Sequence, residues 1–243
     1  MHGLYDLPDY STALAEFSAT KKQRCFLPVH LQKTTQKCPI CEVLLDNSIT
    51  RDTIKGRTTT IKPTIDHYRP TKLYGFLEFA HENFILMCLD CNQHYKQHSF
   101  PLYPEGSIRA QNTGELTTEM PLIVNPIFDN PLDLFDLIFK LHPDGRKTLE
   151  LTPRQYLSDY LTQKASKTIA LFKLGNCDMA TDHPIDNCRI EIHTTNYELF
   201  LNLALARDNK KNFTLTLKNN PKLKDYGFFQ FIIHRQFEIK GMI

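Results

Sequence analysis

No stretch of this chain approaches the ~18 uninterrupted apolar residues that a membrane-crossing helix requires, so neither a span nor a membrane partner is expected. The first ten residues, Met1 to Tyr10, carry Asp6 and Asp9 and lack an apolar run, so they do not read as a secretory signal. A soluble, cytoplasmic protein is the expectation. Strong net charge is also missing: the balance is only +2. Global basicity therefore advertises no polyanion partner, and any phosphate-binding surface must be local. Internal repeats and low-complexity segments are absent. Tryptophan is absent too, which carries no inference. What remains, at 41% hydrophobic and 23% charged over 243 residues, is an ordinary globular composition able to bury a sizeable core.

What is present is cysteine in pairs. Of seven cysteines, four fall in two Cys-x-x-Cys units, Cys38 with Cys41 and Cys88 with Cys91. An odd total with paired spacing favours metal binding in a reducing compartment over a disulfide framework. Four thiolates close a tetrahedral zinc site with no open position, which is a structural site; an iron–sulfur cluster is the other occupant four thiolates can hold. Cys25, Cys177 and Cys188 read as buried small residues.

The spacing of apolar residues predicts a helical lead-in over 1–37, with Ala13, Leu14 and Phe17 on one face and Ser11 or Thr12 as its cap. Lys21, Lys22 and Arg24 form a short basic run that reads as a solvated helix end. A Thr- and Ile-rich strand is predicted over Thr58 to Tyr68, stopped by Pro70. A loop with helical character follows over Leu73 to Glu82. A second strand is expected at Asn83 to Met87 and a helix at Leu89 to Gln97. Repeated prolines from Pro101 to Pro153 break the next stretch, and a boundary is placed near residue 105. Beyond it, Leu132 to Leu141 alternates apolar and charged residues, Arg154 to Leu174 reads as a helix ending at Gly175, Tyr197 to Lys210 has helical spacing, and Phe228 to Ile233 is a buried run. The organisation is thus a lead-in (1–37), a cysteine-bracketed module (38–105) and a C-terminal extension (106–243).

Asp66 and His67 lie between the cysteine pairs, and Asn92 directly follows the last cysteine. Hydrolysis of a phosphodiester needs an activated water, a charge stabiliser and help for the leaving oxygen. An imidazole, with an ordinary pKa near ~6.5, accepts a proton from water at neutral pH. A divalent ion held by hard oxygen donors stabilises the developing charge. Taken singly, Asp-His is commonly a surface turn, Asn92 a helix cap and Asn83 a turn residue. Their joint occurrence inside one metal-pinned loop singles them out. Adjacent strand residues point to opposite faces, so Asp66 and His67 serve one site only where the strand twists or ends. Arg69 and Lys72 flank the pair, and His94, Lys96 and His98 follow Asn92; these are candidate phosphate contacts. The remaining histidines, His30 among them, have no partner pattern and read as structural or exposed.

The series CPIC, IDHYRP and ENFILMCLDCNQHYK over roughly residues 38–101 resembles the HNH endonuclease family, whose fold is the ββα-metal (His-Me) finger. The resemblance implies an α+β fold: that finger with a structural zinc held by four cysteines, a mostly helical lead-in, and a mixed, largely helical C-terminal extension. It implies His67 as general base, Asp66 and Asn92 as ligands of a catalytic Mg²⁺ or Mn²⁺, Asn83 as the residue pinning the loop and orienting the histidine, Cys38, Cys41, Cys88 and Cys91 as zinc ligands, and a Lys at the position of Lys96. The runs HYRPTK, CNQHYKQHSFP and PLIVNPIFDNP further resemble the PtuB-like HNH proteins of retron and Septu antiphage systems. That group implies a nucleic-acid substrate (DNA by default, with RNA including tRNA open), an ABC/SMC-type, PtuA-like ATPase partner and, in retron systems, a reverse transcriptase with its RNA/DNA. Many of its members carry Glu at the position of Asp66, and either residue supplies a carboxylate. The other reading of the same module is a zinc-stabilised platform that binds nucleic acid or protein without cutting; it has no need of Asp66, His67 and Asn92 together.

Overall fold

The computed structural model describes residues 3–34, 36–43, 45, 50–52, 58–60, 62–141 and 147–174. Helix α1, Pro8–Thr20, starts on a proline, whose missing N–H costs nothing in the first turn. Ser11 and Thr12 therefore sit inside the helix and not at its cap, and Ser11 Oγ donates to the Pro8 carbonyl. Tyr10, Ala13 and Phe17, at i, i+3 and i+7, are the buried stripe. A 3₁₀ turn, Gln23–Phe26, leads into α2, Leu27–Lys33.

The expected long strand over 58–68 is two strands. β1, Thr50–Asp52, pairs with β2, Thr58–Thr60, as a small hairpin. β3, Pro63–His67, pairs instead with β4, Phe84–Cys88, antiparallel and with His67 opposite Phe84. β4 is buried at all five positions and β3 at none. The reason is the layer on β4: Phe17, Phe26 and Phe84 pack as a triad with ring centroids 5.3–5.6 Å apart, so the N-terminal helices cover the strand that carries Cys88.

After β4 the chain turns into a seven-residue π-helix, Asp90–Lys96. Strand, strand, helix is the order around the cysteines. An i→i+5 bond, Gln97 N–H to the Asn92 carbonyl at 2.8 Å, fixes the wide winding. Cys91 and Lys96 are both buried. In an ordinary α-helix a residue five positions on points about 140° away; the wide turn brings both onto the inner face.

Beyond residue 105 a hairpin of β5, Phe135–Leu141, and β6, Lys147–Pro153, precedes helix α3, Asp159–Phe172. The described part of the extension therefore holds a strand hairpin as well as a helix. α3 starts at the Ser158 cap, whose Oγ accepts from Leu161 N–H, and ends at Lys173 in the left-handed region. Expectations for Gly175, Cys177, Cys188, Tyr197 to Lys210 and Phe228 to Ile233 lie outside the described residues. One buried cluster runs from Leu4 to Leu174. The Tyr68 hydroxyl donates to the Ile123 carbonyl at 2.6 Å, and Val124 N–H to Thr168 Oγ1 at 3.0 Å. No helix among the described residues is long and apolar enough to cross a membrane.

Candidate metal centre and adjoining cleft

The four paired cysteines meet. Their sulfurs all lie within 4.8 Å of one another and are buried. Cys38 Sγ to Cys91 Sγ is 3.8 Å and Cys41 Sγ to Cys88 Sγ is 3.7 Å. A zinc ion at ~2.3 Å from each sulfur spaces them by about 3.8 Å, so the quartet fits that ion. Two amides point at the sulfurs: Cys88 N–H at Cys38 Sγ (3.4 Å) and Cys91 N–H at Cys88 Sγ (3.3 Å). The first pair is shaped by a tight turn in which Glu42, at φ 59°, donates its N–H to the Cys38 carbonyl. Hydrogen bonding by the neighbouring sulfurs, then burial, pushes the Cys88 thiol well above its usual range; a cation at the centre reverses that preference, because a thiolate is the ligand. Cys25 is buried, away from this quartet.

A cleft of about 350 Å³ opens where β3 ends, and Asp66, His67 and Asn92 all line it, with Thr71, Gln97 and His98 around them. Asp66 and His67 are neighbours on the strand yet face one cavity, because the strand stops at His67. Asn92 Nδ2 donates to Thr64 Oγ1 at 3.1 Å. Thr64 and Asp66, two apart, share a strand face, so Asn92 stands on the side of the sheet that carries the carboxylate.

His67 is oriented by backbone. Its Nε2 lies 2.9 Å from the Glu78 carbonyl. A carbonyl only accepts, so the hydrogen is on Nε2, and the neutral ring keeps its lone pair on Nδ1. The Gln23 carboxamide reaches the same Nε2, its nitrogen placed at 3.0 Å. Two N–H groups cannot pair, so we read that amide turned over, with its oxygen toward the ring. Phe84 packs edge-on against the imidazole at 5.1 Å. Asn83 grips the chain just past the histidine with both amide atoms: Oδ1 accepts Arg69 N–H at 2.8 Å, and Nδ2 donates to the Arg69 carbonyl at 2.9 Å.

The candidate phosphate contacts separate. Lys96 is wholly buried; its Nζ lies 2.8 Å from Asp66 Oδ2 and donates to the His67 carbonyl at 2.7 Å. Burial draws its pKa down and the facing carboxylate opposes that. The ammonium is thus held between a backbone carbonyl and the buried Oδ2 of Asp66. Arg69 pairs with Glu119 at 2.9 Å and lies over the rings of Tyr68, Tyr74 and Phe100. Glu119 also accepts from the Tyr74 hydroxyl and Ala110 N–H. Arg69 thus fastens the cysteine-bracketed module to residues 110–119. Lys72 and His94 are exposed, the latter edge-on to Tyr95.

Two contributors, Gln23 and Glu78, were not singled out by sequence, whereas His98 was already a candidate phosphate contact. Gln23 sits in the basic run read as a solvated end. Glu78 acts through its carbonyl, which no side chain advertises. His98 borders the cleft because Gln97, at φ 47° and ψ −114°, turns the chain sharply after the helix. The donor set beside His67 is a carboxylate and an amide, which suits a hard divalent cation.

No protein-family model matches the chain. A stretch of 108 residues is 28% identical to Septu protein PtuB of Bacillus mycoides (strain KBAB4), covering 39% of this chain and 32% of that protein, so the match spans about a third of the relative.

Proposed function

We propose that the chain is a metal-dependent endonuclease of the HNH type, cutting phosphodiester bonds in nucleic acid within a Septu-like antiphage system. The observation that carries this reading is the convergence of Asp66, His67 and Asn92 on one cleft beside the four-sulfur quartet, with His67 held in the tautomer that leaves Nδ1 as a base. In this reading His67 Nδ1 takes the proton of the attacking water, and the Glu78 carbonyl supports the imidazolium that forms. Asp66 and Asn92 hold the cation, which when bound neutralises charge on the phosphate and the departing oxygen. Asn83 fixes the Arg69 backbone so that the ring cannot drift. The quartet, loaded with zinc, sets the direction of Asn92 through Cys91. Likeness to a Septu protein supports a defence role, an ABC/SMC-type ATPase partner and a cytoplasmic site of action; residues 106–243 are proposed to dock that partner or shape substrate access.

The test is purified chain with Mg²⁺ or Mn²⁺, alone and with the ATPase, on DNA and RNA in parallel. His67→Ala should lower cleavage by about 10²–10⁴-fold while zinc content and melting temperature stay put. Cleavage that survives that substitution removes His67 from the chemistry and the reading with it.

A further inference from the structure

One charged group at the cleft has no task in the steps above. Lys96 is 0% exposed, with its ammonium 2.8 Å from Asp66 Oδ2 and 2.7 Å from the His67 carbonyl. The π-winding, which costs an ordinary helical turn, is what carries it there. Asp66 Oδ2 is buried and answered by no other donor, so the ammonium is its compensation. Asp66 is also the single carboxylate among the described residues that line the cleft; His67 and Asn92 bring no negative charge, and neither do Thr71, Gln97 or His98. Affinity for hard divalent ions is tuned by the number of charged oxygen ligands. Here the one anionic ligand faces a fixed positive charge.

Building on the nuclease reading, we propose that Lys96 makes this a conditional cation site: the divalent ion is retained only together with a phosphodiester, whose oxygen supplies the negative charge that Lys96 cancels. Metal and nucleic acid then bind as a pair. The idle protein carries zinc on sulfur and no second ion. A substrate lacking the bridging phosphate charge, such as a methylphosphonate-linked strand, fails to recruit the ion.

The experiment measures Mn²⁺ binding to the full-length, zinc-loaded chain from the electron paramagnetic resonance signal of the free ion. His67→Ala protein keeps short DNA and RNA oligonucleotides intact, each added in a separate arm. At least one of them should tighten Mn²⁺ binding by about tenfold or more, and its methylphosphonate counterpart should not. In the absence of any oligonucleotide, Lys96→Met should itself gain about tenfold, and adding Asp66→Asn should erase that gain. The proposal is overturned if Mn²⁺ binds equally well with and without both oligonucleotides, if folded Lys96→Met shows no gain, or if the gain outlives Asp66→Asn. Should Lys96→Met lose its zinc and fail to fold, the oligonucleotide arms on the unaltered Lys96 decide alone. Paired uptake in a protein that cuts nothing under any metal sinks the nuclease reading and leaves this one standing.

Discussion

His30 shows what a single buried ring does to the molecule as pH falls. It is 1% exposed, its Nδ1 has no partner, and burial lowers its pKa to about 4. The unfolded chain protonates this ring near pH ~6.5, before the folded one does. Stability is therefore full above that pH and is lost as pH falls toward about 4, by about 3 kcal/mol in all. Urea midpoints of wild type and His30→Leu should diverge over that window, the wild type losing ground; parallel curves would contradict the buried neutral ring. A second residue-scale case is Tyr68, whose hydroxyl serves the Ile123 carbonyl. Tyr68→Phe should cost about 1–2 kcal/mol, because the carbonyl is left dry and unpaired. At this scale spacing led to residues that the fold brings near one another: the four paired sulfurs meet, and Asp66, His67 and Asn92 line one cleft. It was silent where the chemistry is a contact across the fold, as with Gln23 on His67, 44 positions apart, or Lys96 on Asp66.

Secondary elements were legible in type more than in partnership. The strand at 84–88 was legible from its apolar run, and the helical segment that follows from its polar pattern. The run over 58–68 did not, because β-rich composition fixes extended backbone without saying which neighbour it pairs with, and here Thr58–Thr60 and Pro63–His67 go to different partners. The winding of the Asp90–Lys96 helix was equally hidden, since seven polar-rich residues cannot distinguish i→i+4 from i→i+5. Two outcomes belong to this scale. Cys41→Ser or Cys88→Ser should lower bound zinc from about one per chain toward none and abolish cooperative unfolding, because metal binding and folding are one equilibrium in such knuckles; metal analysis with a thermal melt reads it. Gln97→Gly should raise stability by about 1 kcal/mol by removing the side chain's conflict with φ 47°, while cleavage drops severalfold as His98 loses its fixed approach to the cleft.

Over the whole molecule the division near residue 105 marks a change of composition, while the packing crosses it freely. Tyr68, Arg69 and Tyr74 all find partners at 119–123, and the buried cluster extends into α3. A fragment of residues 1–105 leaves the Arg69 guanidinium and the Tyr68 hydroxyl without those partners and removes Pro121, the bridge partner of Leu102. It should unfold without a sharp transition and retain less zinc than the full chain, measured by calorimetry and metal analysis; a fragment that melts as sharply as the full chain would show the two parts to be separable. The proline-rich stretch suggested loose connection because prolines interrupt regular hydrogen bonding. What it could not reveal is that Leu122, Ile123, Val124 and Ile127 lie fully inside, reached by a chain with almost no regular structure.

The wide helix carries one residue more than an α-helix would need to set Cys91 and Lys96 on a common side. Loss of a residue inside a helix ordinarily scrambles every side chain beyond it. In this one, excising Gln93 shortens the separation to four, tightens the winding to the common form, and leaves the sulfur ligand and the ammonium aligned. Length variation that would ruin most helices is, at this one position, the change the architecture absorbs, and natural kin of this chain are where such a missing residue should first be sought.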